Sequence, residues 1–109
     1  MQIALALYPG FTALDVVGPF QTLVDVPGVD ACFVAAEAGP VTDHTGRLAI
    51  VAPRAFADIT APDVIVVPGG MVEPTGDDDP VVQWIRAVHP TKPQHEFIAQ
   101  VIAVGTTSD

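Results

Sequence analysis

Asp15 lies a few residues beyond Pro9-Gly10-Phe11, and Gly69-Gly70 follow Pro68 at the end of a strongly apolar run. Adjacent glycines let backbone N–H groups converge on an anion or a developing oxyanion with no side chain in the way. An aspartate held beside such donors can orient a nucleophile or shuttle a proton, provided burial tunes it for the task. The same residues have a plainer use. An acid three residues after Thr12 suits a capping box, and a glycine pair suits a tight turn.

Other candidate groups carry less chemistry. Asp77-Asp78-Asp79 lacks the alternating acids, central glycine and terminal glutamate of an EF-hand loop, and serves better as a cap and dipole partner for a following helix. His44, His89 and His95 are scattered through turn-like segments without paired metal-ligand spacing. Cys32 sits within an apolar run, where a thiol is ordinarily an inert small hydrophobe. A Walker loop, a Gly-x-Gly-x-x-Gly turn and a Gly-x-Ser-x-Gly elbow are all missing. Neither a metal nor an organic cofactor is expected.

The elements that must position these groups follow from the apolar pattern. Ile3-Ala4-Leu5-Ala6-Leu7-Tyr8 is continuous rather than alternating, as in a strand buried on both faces of a parallel sheet. Thr12 can then open a helical turn. Gly18-Pro19 is expected to interrupt and restart that helix, and Phe20, Leu23 and Val24 carry it on to Pro27-Gly28. Cys32-Phe33-Val34-Ala35-Ala36 reads as the next parallel strand, which makes a β-α-β unit. Residues 37–59 break into short pieces suited to a hairpin excursion.

Asp63-Val64-Ile65-Val66-Val67 is the clearest strand. Asp79-Pro80 opens a second helix, with an apolar stripe of Val81, Ile85 and Val88 and an end at His89-Pro90. Residues 97–104 form a candidate fourth strand, leaving Gly105-Thr106-Thr107-Ser108-Asp109 as its outgoing loop. The fold class is α/β with a mainly parallel sheet, in which ligands bind at the carboxyl ends of the strands.

Composition narrows the function classes. The 109 residues include 13 acids against 4 bases, a net charge of −9, with 50% apolar and 16% charged residues. Such a chain can bury enough surface to fold as one domain over residues 1–109. Only Arg47, Arg54, Arg86 and Lys92 are available to neutralise phosphates, which argues against direct nucleic-acid binding. The single cysteine excludes a disulfide framework. No apolar run approaches the roughly 20 residues of a membrane helix, and the start lacks a basic signal-peptide region, so no membrane partner and a cytoplasmic location are expected.

Four segments in order resemble the ThiJ/PfpI superfamily: Leu7-Tyr8-Pro9-Gly10-Phe11; Leu14-Asp15-Val16-Val17-Gly18-Pro19; Ala35-Ala36-Glu37-Ala38-Gly39-Pro40-Val41; and Asp63-Val64-Ile65-Val66-Val67-Pro68-Gly69-Gly70. Within it they are most similar to isonitrile hydratases and to the ligand-sensing amino-terminal domains of AraC-type regulators. The resemblance covers about residues 1–88 and makes residues 89–109 a divergent tail. It implies a flavodoxin-like three-layer sandwich, a homodimer, a small-molecule substrate or ligand, and a reactive cysteine at a sharp turn. It also implies Asp15 as the acid beside that thiol and a backbone N–H near Gly70 as a donor to the reacting atom.

In the family the thiol follows the helix of residues 79–88. Lining up Ala103-Val104-Gly105-Thr106 puts Gly105 in its place and Thr106 in the next position. Glycine cannot be a nucleophile. The chain alone is therefore expected to lack hydratase turnover, and about four core strands plus a small hairpin would make it an incomplete, truncated sandwich. The alternative expectation is a non-catalytic sensing module, with DNA binding supplied elsewhere.

Overall fold

A computed structural model of the chain describes residues 1–70 and 76–88, together with the backbone of residues 101–104. The first strand, β1 (Gln2–Ala6), is buried from Ile3 onward, because it is the central strand and is covered on both faces. Helix α1 (Ala13–Leu23) leads from it to β2 (Asp30–Ala35), which pairs with β1 in parallel from Gln2↔Asp30 to Ala6↔Val34. An antiparallel hairpin follows, β3 (Gly39–Thr42) with β4 (Ala49–Ala52), as the broken pattern of residues 37–59 suggests. Next come a two-residue strand β5 (Arg54–Ala55), a 3₁₀ turn (Phe56–Asp58) and β6 (Val64–Pro68). Helix α2 (Pro80–Val88) and β7 (Val101–Val104) complete the described elements.

The parallel sheet has the order β5-β2-β1-β6-β7. Among the described residues it holds the four expected core strands, β2, β1, β6 and β7, and one short addition. The addition, β5, touches only Val34 and Ala35 of β2, too short a pairing to leave an apolar pattern in the sequence. From β1 the chain moves outward in one direction to β2, then returns to the other flank of β1 and moves outward the opposite way through β6 to β7. Right-handed crossovers in opposite directions put α1 and α2 on opposite faces of the sheet, giving three layers. The direction reverses between β1 and β6, and the carboxyl ends of strands at such a switch point are where open α/β sheets commonly bind ligands.

Three details depart from expectation. Helix α1 runs unbroken through Pro19. The missing N–H leaves one carbonyl, that of Asp15, without its helical donor. Gly18, lacking a Cβ, removes much of the clash that normally keeps the residue before a proline out of the helix, and Val16, Val17, Phe20 and Leu23 hold the continued turns on the core. In α2 the buried residues are Val81, Trp84 and Val88, with Ile85 half-buried. Trp84 joins the stripe because its ring stacks on Phe56 at 4.6 Å and its Nε1–H reaches the Ile59 carbonyl at 2.9 Å. The fourth strand is seen over Val101–Val104; residues 97–100 of the expected strand and the tail residues 105–109 lie outside the described residues.

Asp79 does cap α2, its Oδ1 accepting the Val81 N–H at 2.9 Å, in the role read from Asp79-Pro80. Asp77 pairs instead with Arg86, an exposed contact. Among the described residues no helix is long and apolar enough to cross a membrane.

Candidate active site

The sequence-derived candidates Asp15, Gly69 and Gly70 lie where β1 and β6 end. After β1 the chain turns at Gly10, whose φ of 89° is in the left-handed region that glycine tolerates best. Phe11 is wholly buried there and is held from two sides. On one side the hairpin grips the loop, with the Gly10 N–H donating to the Thr42 carbonyl and the His44 N–H to the Phe11 carbonyl, each at 2.9 Å. On the other, Phe11 makes an antiparallel bridge to Gly70.

The start of α1 is tied to the end of β6 by two hydrogen bonds. The Thr12 N–H donates to the Gly69 carbonyl at 2.8 Å, and the Gly69 N–H donates to Asp15 Oδ2 at 3.1 Å. Asp15 is 4% exposed, so its carboxyl is withdrawn from solvent and anchored by a backbone donor 54 residues away in sequence. This replaces the capping box suggested by Thr12 and Asp15. Thr12 stands at the N-cap with extended backbone but makes no side-chain cap bond. The acid reaches across to the other strand end, where the N–H of a buried turn would otherwise lack an acceptor.

The glycine pair therefore does not present two free donors. One N–H, that of Gly69, is committed to the Asp15 carboxylate. Gly70 is needed for space: a Cβ there would lie 2.7 Å from the Gly10 carbonyl oxygen, 2.8 Å from the Tyr8 hydroxyl and 3.1 Å from Phe11 Cα. The Tyr8 hydroxyl donates to the Pro68 carbonyl at 2.6 Å in a buried contact. Tyr8 and Phe11 are the residues of this site that the sequence does not announce. Their apolar rings read as core, and only the phenol at a strand end just before Pro9-Gly10 hints at more.

The structure brings together Asp15, Gly69 and Gly70. Thr106 and the neighbouring Gly105 lie outside the described residues, as do His89 and His95. Cys32 is not at the site. It is half-buried on β2, and burial pushes its thiol above the ordinary value, an effect partly offset by the nearby Arg54 guanidinium and reinforced slightly by Asp30. Among the described residues no group of three or more His, Cys, Asp or Glu side chains could hold a metal. Asp43, in the hairpin turn, has the opposite shift to Cys32. Desolvation works against its charge, but donation from the Thr45 hydroxyl and from the Leu48 and Thr45 N–H groups, with His44 nearby, takes it below the usual carboxylate value.

A cleft of about 570 Å³ opens beside Tyr8 at the carboxyl ends of β1 and β2. Leu7, Ala35, Val41, Phe56 and Val81 make it mainly apolar, and Glu37 and Asp79 are its acids. A small organic molecule fits a space of that size and character. Where β1 and β6 end, next to Tyr8 but outside the lining of that cleft, the structure holds one buried carboxyl group, that of Asp15, anchored to the glycine turn.

The chain is 36% identical over 88 residues to the isonitrile hydratase of Pseudomonas putida, a match that takes in 80% of this chain and 38% of that protein. The crystal structure of a ThiJ/PfpI family protein from Pseudomonas syringae superposes with a TM-score of 0.75 at 25% identity, covering 94% of this chain and 40% of that one. The chain belongs to the ThiJ/PfpI superfamily. The crystal structure of an AraC family transcriptional regulator from Pseudomonas putida has a TM-score of 0.57 at 18% identity over 78% of this chain and 48% of that one, and shares the fold alone. No family model matches. This ThiJ/PfpI chain spans about two fifths of the length of the first two relatives.

Proposed function

We propose that this chain carries the Asp15 part of an isonitrile hydratase-like site, which adds water to an isonitrile to give an N-substituted formamide. The observation that carries the reading is the buried Asp15 carboxylate, accepting the Gly69 N–H at 3.1 Å where β1 and β6 end, next to the cleft beside Tyr8. The 36% identity to an isonitrile hydratase over 88 residues supports it. In that reaction the isonitrile carbon takes up oxygen and a proton and the nitrogen takes up a proton. Asp15 is suited to relay those protons, with a backbone N–H near Gly70 facing the reacting atom.

The nucleophile is the part this chain does not supply within its described residues, since Cys32 lies within β2 and not at the strand ends with Asp15. The expected result with the purified 109-residue protein is therefore ligand binding without turnover. Titration with an alkyl isonitrile, followed by amide NMR, should move the Gly69 and Gly70 signals and lose that response in Asp15→Ala. Steady release of formamide would overturn the inactive part of the proposal. An isonitrile response absent from Gly69 and Gly70, or unchanged in Asp15→Ala, would overturn the site assignment. A sensing module built on the same scaffold is the second reading, supported by the regulator that shares the fold.

A further inference from the structure

We propose that Tyr8 is the positioning residue of this site: through the single peptide unit joining Pro68 to Gly69, its hydroxyl sets how firmly the Asp15 carboxylate is held. Two hydrogen bonds grip that peptide from its opposite edges. Its carbonyl oxygen accepts from the Tyr8 hydroxyl at 2.6 Å, and its N–H donates to Asp15 Oδ2 at 3.1 Å. Both bonds are buried. Because the unit is planar, with C=O and N–H fixed relative to each other, it cannot swing to loosen one bond without moving the other.

The neighbouring residues explain why a clamp is needed. The unit follows the last residue of β6, and beyond it the backbone is held by the Thr12 N–H on the Gly69 carbonyl and by the Phe11–Gly70 bridge, but neither glycine adds a side chain to restrain the turn. Losing the bond on the carbonyl releases one of the two edges that fix the plane and loosens the hold of the Gly69 N–H on the carboxylate. Donation to the carbonyl also polarises the amide and makes its N–H a stronger donor, as in any chain of hydrogen bonds in a low-dielectric interior. The space for the hydroxyl is provided by Gly70, where a Cβ would sit 2.8 Å from it. If Tyr8 were only a core filler, its ring would suffice and phenylalanine would serve equally. The bond to Pro68 makes the hydroxyl the part that matters.

The geometry stands by itself, whereas its role in catalysis rests on the reading of Asp15 as the acid of the site. In Tyr8→Phe the Gly69 amide proton should move upfield and exchange about five- to tenfold faster, the loss expected for one buried hydrogen bond. Amides of β1 and β2 away from the turn should keep their exchange rates. Coupling through one peptide is reciprocal. Asp15→Asn in the wild-type background should therefore shift the Pro68 carbonyl ¹³C signal, a readout that holds even if Tyr8→Phe folds poorly. The stability losses of Tyr8→Phe and Asp15→Asn should add to more than that of the double variant.

A Gly69 amide unchanged in Tyr8→Phe, an unmoved Pro68 carbonyl in Asp15→Asn, or strictly additive losses would each overturn the proposal. None of these measurements uses an isonitrile. Failure of the isonitrile titration removes the hydratase reading and leaves the clamp standing, while failure here removes the clamp and leaves that reading standing.

Discussion

Gly70→Ala is the sharpest test of how the ends of β1 and β6 fit together. Ordinary contact at a Cβ begins near 3.4 Å, yet the new methyl would meet the Gly10 carbonyl at 2.7 Å, the Tyr8 hydroxyl at 2.8 Å and Phe11 Cα at 3.1 Å. Two of the three are backbone atoms of a loop that the hairpin already grips, so the loop cannot yield cheaply. Relief requires an opening of about 0.7 Å against a well-packed neighbour, an overpacking cost of about 1–3 kcal/mol. Displacing the Tyr8 hydroxyl from Pro68 adds about 1 kcal/mol. The total, about 2–4 kcal/mol, corresponds to a fall in melting temperature of about 8–16 °C for a domain of this size. Thermal melts followed by circular dichroism measure it. Gly76→Ala, where an added Cβ meets nothing within 4 Å, serves as the control and should melt like the wild type. A Gly70→Ala protein melting within about 2 °C of the wild type would refute the close approach of the two strand-end loops.

Two further outcomes follow from the titrating groups. Asp43 is held below the ordinary aspartate value of 3.8, so its contribution to stability is complete above that value and is lost as pH falls through its lower folded value. Urea denaturation across about pH 2–5 should show a steeper acid loss in the wild type than in Asp43→Ala, and parallel curves would contradict the turn described here. Burial raises the Cys32 thiol, so a disulfide reagent at neutral pH should label it more slowly than free cysteine, and Arg54→Ala should slow labelling again by removing the cation that offsets the effect. Faster labelling in Arg54→Ala would reverse the assigned role of that guanidinium.

Much of the architecture is legible in the sequence because strands buried on both faces leave unbroken apolar runs. Residues 3–8 and 63–67 are the plainest, and both are core strands to within one or two residues. Helix α2 is readable from Asp79-Pro80, since capping is a local interaction. What escapes is whatever depends on packing. Pro19 reads as a break, but the fit of Val16, Val17, Phe20 and Leu23 on the core outweighs one lost helical bond. The two residues of β5 carry no period of their own. At the site, Asp15 and the glycine pair are visible as types, whereas their partnership is not, because nothing local indicates that position 15 meets position 69. Tyr8 is hidden for the same reason: its partner is 60 residues away.

The central place of β1 has a consequence for the order in which the molecule is made. Its neighbour β6 arrives about 60 residues later in the chain, as the separation of Gln2 from Asp63 shows. At 5–20 residues per second, a ribosome takes roughly 3–12 s to deliver it, during which an apolar strand designed for burial on both faces has only β2 to pair with. The entropy of closing so long a loop is also borne before any β1–β6 contact rewards it. Folding of this chain is therefore gated by its most distant pairing, and the interval before that pairing is when its first strand is most exposed to aggregation.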